Sequence, residues 1–510
     1  MRKRNALLGT LFGIINQVIT VILAFAVRTV LLRILNEEYV GINALLSDIF
    51  GVLIALDFGV SSSVFIKIYK PIAENDEDKT KSVFALVRRV YRIRALAVFI
   101  VGSIIYFFLP LIVSNTTIEL GYIKKCYIIY LILNSLNYWF IFYNFFLETI
   151  QKRFVLSIIQ SIAVVVQSVL SIAVLIVFDS YIMYLAVTLI TQNAVAIASR
   201  AFGLKYYPFL KGRLDIDKED LKDFGNLIGM GFHSMSSVVV RFTDSILISS
   251  LVGIGVNGLY SNYRMITDKV NSLIGQMTSS VKDPMRNLMA EQNKERIQEM
   301  ITRIDFLYFW VSGICAVCLA VLVNPFVRLV WGERYLLSMS TVYLSVMTLY
   351  LPILNFTVND AYYYTQCYIK DKRTPICEIA VNLIISVVLG KIIGLNGILI
   401  GTVACFVFQT VRRSYRLYKK YLNKPNYQYL GMWLLYNALI WLSVILTYFL
   451  GDLIRVKNGW VELLLKLLLA IVVPNIIYYV AFRKTEKYKY FADIISGIVI
   501  LIKRKLENEK

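Results

Sequence analysis

Histidine is almost missing from this chain: there is one, His233, in 510 residues. That excludes a multi-histidine zinc or iron site. Acid is scarce as well. Asp and Glu number 33 against 54 Lys and Arg, giving a formal net charge of +21. Only 17% of residues are charged, too few to cover a soluble protein of this length. No Gly-x-x-x-x-Gly-Lys loop is present to cradle a nucleotide phosphate, so ATP is not the direct energy source. The six cysteines are scattered. Cys315 and Cys318 sit in an apolar helix with no second pair and no histidine nearby, and read as apolar filler, not as a metal or redox site. No cofactor, metal or catalytic residue is expected.

What the chain has in abundance is apolar length: 58% of its residues are hydrophobic. Runs near the roughly 20 residues that a bilayer requires alternate with short connectors. About fourteen such runs are expected, at 7–35, 40–66, 95–113, 122–148, 154–178, 181–202, 225–251, 256–281, 304–330, 336–366, 375–393, 395–418, 430–450 and 460–482. Positive charge gathers in every second connector. Arg2, Lys3 and Arg4 precede the first run and a basic loop, 67–94, follows the second, whereas Asn36-Glu37-Glu38 between them is acidic. The positive-inside rule then puts both termini in the cytoplasm and explains the net charge as a topology signal that also attracts anionic lipid, so a nucleic-acid partner is not expected. The first run is too long for a cleavable signal peptide and stays as a span.

The connectors carry smaller signals. Asp215, Asp217, Glu219 and Asp220 predict a short surface helix before the seventh span. Asp283-Pro284 predicts a helix start, with Asp as the cap and Pro at the first helical position. Near the end, Phe491, Ile494, Ile495, Ile498 and Ile502 fall on one helical face, ahead of Lys503-Arg504-Lys505. The apolar stretch is short for a span, so an interfacial amphipathic tail over 488–510 is expected, with a re-entrant or fifteenth span as the alternative.

The chain also repeats itself. Gly41-Ile42-Asn43-Ala44-Leu45-Leu46-Ser47-Asp48 aligns without gaps on Gly255-Val256-Asn257-Gly258-Leu259-Tyr260-Ser261-Asn262. One span earlier, Arg28 and Arg241 occupy near-equivalent places. Two parallel six-helix bundles follow, 1–202 and 225–420, joined by a cytoplasmic linker at 203–224 and followed by two added spans at 430–482. Gly394-Leu395-Asn396-Gly397-Ile398 is a partial third copy, or simply a good turn into a helix.

Ionisable groups at membrane depth normally face protein or a water-filled cavity. Arg28 lies in the first span, Arg241 and Asp244 in the seventh, Arg264 and Asp268 in the eighth. The arginines stand roughly 9–15 Å from the outer ends of their spans at about 1.5 Å per residue. Three guanidinium groups converging on one chamber suit an anionic headgroup, a phosphate or diphosphate above all. The plainer alternative is that each is neutralised by a nearby Asp for structural reasons. Asp57, Asp244, Asp268 and Asp360 are the candidate ion-coupling or cavity carboxylates, with pairing of Asp57 to Lys67 or Lys70 the alternative for that residue.

One passage has a familiar form. Leu35-Asn36-Glu37-Glu38-Tyr39-Val40-Gly41-Ile42-Asn43 is followed by Asp57-Phe58-Gly59 and Tyr69-Lys70-Pro71-Ile72-Ala73. It resembles the polysaccharide-transport branch (the O-antigen or capsule flippase type) of the MATE-like multidrug/oligosaccharidyl-lipid/polysaccharide exporter superfamily. Asn36 stands where that family often has Gly, a harmless change because Asn tolerates left-handed turns. The resemblance implies an all-α, MATE-like polytopic protein of the bacterial cytoplasmic membrane that flips undecaprenyl-diphosphate-linked oligosaccharides by ion-coupled alternating access. Its partners would be the lipid-linked oligosaccharide, membrane lipids and the polymerase and assembly proteins of the polysaccharide. A drug or cation antiporter of the same superfamily is the alternative, disfavoured by the mixed-to-basic span interior. A membrane glycosyltransferase or polymerase is disfavoured further, because no outer loop is long enough to hold a catalytic acid pair.

Overall fold

The computed structural model describes all of the chain except residues 1, 55–67, 70, 73, 151, 213–215, 217–235, 237, 291–292, 372, 495 and 498–510. The described residues of each expected span are mostly helical, and the described residues contain no strand. Nine helices among them are long and apolar enough to cross a membrane, or ten when one bent pair counts as a single span. The protein is an all-α polytopic membrane protein. Its chain divides into two compact units, Met1–Ser261 and Asn262–Lys510.

Unit 1 contains α1 (Arg2–Ile34), α2 (Glu37–Ile54), α3 (Glu77–Ile112), α4 (Leu120–Phe140), α5 (Phe142–Thr149), α6 (Arg153–Phe178), α7 (Tyr181–Tyr206), α8 (238–251) and the first turns of α9 (Ile254–Ala290). Local chemistry sets the starts. Asn36 Oδ1 accepts the amide protons of Glu38 (2.9 Å) and Tyr39 (3.4 Å) and so caps α2. Asp76 caps α3 by accepting from the Lys79 amide at 2.9 Å. Much of the expected basic loop 67–94 is therefore the leading half of a 36-residue helix. The aromatic cluster at this end of the unit sets Phe84 of α3 edge-on to Phe142 and Phe146 of α5, with Leu210 beneath.

Unit 2 continues with the rest of α9 and with α10 (Lys294–Val330), α11 (Met339–Leu354), α12 (Phe356–Tyr364), α13 (Thr374–Ile393), α14 (Leu395–Tyr415), a π-helical turn (Arg416–Leu422), α15 (Tyr427–Asp452) and α16 (Gly459–Phe482). α10 is its axis. Phe309 stacks on Tyr436 of α15 at 4.2 Å, and Tyr478 and Phe482 of α16 close on the same ring. Helices α15 and α16 are thus bound to α10 by aromatic contact. Phe491 stacks on Trp310 at 4.6 Å, so the described start of the tail packs on protein at that residue. Ile495, Ile498 and Ile502 of the expected amphipathic tail lie outside the described residues, as do Asp215, Asp217, Glu219 and Asp220 of the expected surface helix.

Two expectations are corrected. Helix α9 runs unbroken to Ala290, through the Asp283-Pro284 pair expected to start a helix. Proline there costs one backbone bond in a helix already propagating; the true start comes later, where Asn293 caps α10 by accepting from the Arg296 amide at 3.1 Å. The tenth expected span, 336–366, is also not one rod. It is broken by 40° between α11 and α12, three residues past Pro352, whose ring cannot join the ladder.

Helices in lipid gain little by burying apolar surface against each other, so close backbone approach at small residues decides which ones pair. In unit 1 a Cβ on Gly41 would collide with the Ile254 carbonyl, and one on Gly258 with the Glu37 carbonyl. We expect Gly258→Val to force α2 and α9 apart at a cost of about 1–3 kcal/mol. Thermal unfolding of the detergent-purified protein should show a lower midpoint for Gly258→Val, whereas Gly431→Ala, where no neighbour lies close, should leave it unchanged.

Candidate functional site

The two copies of the sequence repeat meet. Asn257 of the second copy donates through Nδ2 to the Gly41 carbonyl of the first at 3.1 Å, and its Oδ1 accepts from Ser245 at 2.8 Å. Asn43 accepts from the Tyr181 hydroxyl at 3.4 Å, and Ser47 and Tyr130 share a hydrogen bond at 3.2 Å. Both copies thus spend their Asn and Ser on inter-helix bonds, the use expected of polar residues inside a bilayer. The loop between α3 and α4 ties the same region together. Glu38 accepts from Thr116 Oγ1 (2.8 Å) and the Thr117 amide (3.0 Å), while Ser114 and Asn115 bond to the Ser249 and Val252 carbonyls at the end of α8.

Arg28 stands beside this crossing. It is half-buried on α1, and its Nη1 donates to Ser261 Oγ of the second repeat at 3.1 Å. Ser261 in turn donates to the Gly258 carbonyl at 2.9 Å, so the arginine is steered by the close-packed turn. Tyr184 and Tyr181 are within electrostatic reach of its guanidinium. Arg241 on α8 is exposed, with its guanidinium 5.7 Å from the Phe242 ring centre, whereas Asp244, one turn on, is buried. Asp57 lies outside the described residues.

Arg264 and Asp268 belong to unit 2. They form an i,i+4 ion pair at 3.8 Å on α9, with the arginine the more buried partner. Asp360 is half-buried on α12. Its neighbour Asn359 belongs to the strongest polar cluster of the unit, which the sequence reading did not single out. Arg413 of α14 chelates Glu378 of α13 with Nε–Oε1 at 2.9 Å and Nη2–Oε2 at 2.8 Å. Both side chains are almost wholly buried. Arg413 Nη1 also donates to Asn359 at 3.1 Å, and the Tyr362 and Tyr363 rings lie within 6 Å of the guanidinium. One turn away Asp371 receives Arg412 and Arg416, each at 3.1 Å. A signal was present: Glu378 opens one span and Arg413 closes the next, so antiparallel neighbours carry opposite charges at one depth.

What these features define is a multi-pass helical membrane protein with charged and polar side chains tied together within its spans. The chain belongs to the polysaccharide biosynthesis protein family, whose profile matches residues 6–285. Its fold is similar to that of the lipid II flippase MurJ in an inward closed conformation (16% identity, TM-score 0.68, covering 94% of this chain and 99% of that one). It is also similar to an inward-facing multidrug resistance MATE family transporter of the MOP superfamily (14% identity, TM-score 0.54, covering 77% and 92%). A Vibrio cholerae MATE transporter, VcmN, resembles it to the same degree (13% identity, TM-score 0.54, covering 83% and 99%). No curated protein sequence matches the chain significantly. The fold is therefore MATE-like, and the family is that of the polysaccharide biosynthesis proteins.

Two predictions follow from the unit 2 cluster. Glu378→Ala leaves a buried guanidinium uncompensated and should destabilise the protein by about 3–5 kcal/mol, while the double change Glu378→Met with Arg413→Met should recover most of that loss. Chemical unfolding in detergent reads both. Asp371 lies between the spans. Burial pushes its carboxyl up, but the Thr374 hydrogen bond and the guanidinium groups of Arg412 and Arg416 outweigh this and hold it below the usual value. A depressed folded-state pKa contributes stability above the unfolded value near 3.9, and that contribution is lost as pH falls through the folded value. Unfolding curves should accordingly show a loss below about pH 4 that Asp371→Asn removes.

Proposed function

We propose that this protein carries undecaprenyl-diphosphate-linked oligosaccharide repeat units of a surface polysaccharide from the inner to the outer leaflet of the bacterial cytoplasmic membrane. Membership in the polysaccharide biosynthesis family supports this reading. The observation that carries it is Arg28: a guanidinium at membrane depth, half-buried and oriented by a serine hydroxyl from the repeat crossing. The task is severe, because a sugar-diphosphate must pass an apolar layer of about 30 Å while its isoprenoid tail stays in lipid. A guanidinium meets a phosphate through paired, charge-assisted N–H donors. In this reading Arg28, Arg241 and Arg264 serve the diphosphate along its path. Asp57, Asp244, Asp268 and Asp360 are the carboxylates through which an ion gradient drives the cycle.

Both termini are then cytoplasmic, and the partners are the lipid-linked oligosaccharide, the surrounding lipids and the polymerase and assembly proteins that consume the product. The MATE-like fold favours one second reading, antiport of organic cations, which an acidic cargo path would suit better than this mixed-to-basic one.

The decisive measurement is the leaflet distribution of the lipid-linked oligosaccharide in cells depleted of the protein, where accumulation in the inner leaflet is expected. Arg28→Gln should reduce export about 10–100-fold, the loss of one charge-assisted contact of roughly 1.5–3 kcal/mol. Arg28→Lys should recover part of it, because a lysine keeps the charge without the planar fork. Export unchanged when Arg28, Arg241 and Arg264 are neutralised together would falsify the assignment of these residues.

A further inference from the structure

Unit 2 contains a cavity of about 220 Å³ that the transport reading does not use. It lies between α10, the π-helical turn, α15 and the segment that follows α16, and Asp305, Tyr418, Tyr429, Tyr436 and Lys487 line it. Asp305 is 7% exposed and Tyr429 8% exposed. Asp305 Oδ1 and the Tyr429 hydroxyl both lack a hydrogen-bond partner among the described residues. Buried polar atoms are nearly always satisfied, and two unsatisfied ones on residues that line one cavity single it out. The depth is informative. Asp305 is about 37 Å from Val330 along α10 at about 1.5 Å per residue, beyond the roughly 30 Å hydrocarbon layer. The cavity therefore sits at headgroup level, where the charged first turns of α10 emerge.

The lining specifies its ligand. Tyr418 and Tyr429 stack at 5.2 Å, and with Tyr436 they give the carboxylate an aromatic surround. A buried carboxylate among aromatic faces favours an ammonium group. Lys487 and the amides of Gln298 and Gln428 line the same cavity and supply donors for an anion. Opposite charges in one small chamber complement a zwitterion. We infer that this cavity binds a phosphoethanolamine group, its ammonium on Asp305 and the tyrosines, its phosphate on Lys487. At headgroup depth the occupant is the headgroup of an aminophospholipid, which would make the lipid a ligand of unit 2.

The test uses the full chain in nanodiscs of phosphatidylglycerol alone and of phosphatidylglycerol with phosphatidylethanolamine. Thermal unfolding should rise by about 2–3 °C with the aminophospholipid, the shift expected near a hundredfold excess over Kd for a chain of this size. Native mass spectrometry should show that lipid retained. Asp305→Asn, Tyr429→Phe and Lys487→Gln should each reduce retention about tenfold while unfolding unchanged in phosphatidylglycerol alone, which separates lost binding from lost folding. A rise with soluble phosphoethanolamine but none with the lipid keeps the chemistry and assigns the ligand to the aqueous phase. Equal stabilisation by extra phosphatidylglycerol, retention unaffected by all three variants, or no response to either probe overturns the proposal. None of these readouts depends on transport, so failure here leaves the flippase reading untouched.

Discussion

Within a bilayer no water is at hand to satisfy a stray backbone group or to drive apolar faces together. Order among helices must come from close backbone approach and from buried hydrogen bonds. Unit 1 concentrates both at the Gly41–Gly258 crossing. Two glycines let α2 and α9 touch, Asn257 bridges them through the Gly41 carbonyl, and Ser261 reaches from the same turn to Arg28. The orientation of the arginine is thus inherited from the packing. A residue at position 258 large enough to part the helices would also displace the hydroxyl that steers the guanidinium.

The guanidinium groups of Arg28 in unit 1 and Arg413 in unit 2 bond to different partners. Arg413 is chelated by Glu378 and donates a further bond to Asn359, so its donors are committed within the protein. Buried pairs of this kind add little net stability but are costly to break, which makes them good locks and poor ligand sites. Arg28 is half-buried on α1 and donates to the Ser261 hydroxyl.

Much of this was legible in the sequence. Hydropathy located long apolar helices, nine or ten of which among the described residues are fit to cross a membrane, because a bilayer demands such runs regardless of tertiary detail. The repeat was legible as eight aligned residues, Gly41–Asp48 on Gly255–Asn262. That the copies touch was not, since alignment carries no information on contact. Asn36 was read as a tolerated turn residue, and the structure adds the cap it makes on α2. Glu378 and Arg413 escaped notice because each alone looks like a charge at a span end, and only antiparallel pairing of α13 with α14 makes them partners. The helix start expected at Asp283-Pro284 failed for a related reason: a local cap signal cannot tell whether a helix is already under way.

The break between α11 and α12 shows how one backbone defect builds a cluster. Pro352 interrupts the ladder, and Asn355 at the joint ties it to neighbouring helices, accepting from Trp433 Nε1 at 3.0 Å and donating to the Phe406 carbonyl at 3.4 Å. Helix α12 leaves that joint on a new axis, 40° away from α11. The turn after it brings Asn359 to Arg413 and Tyr362 and Tyr363 to the rim of the same guanidinium. Had the span continued straight, Asn359 would have followed the axis of α11. The bond to Arg413 would then have to be made by another residue or lost. The ion pair that locks α13 to α14 therefore owes its third partner to a proline seven residues earlier in the chain. Replacing that proline would act on the polar cluster of unit 2 without touching any member of it.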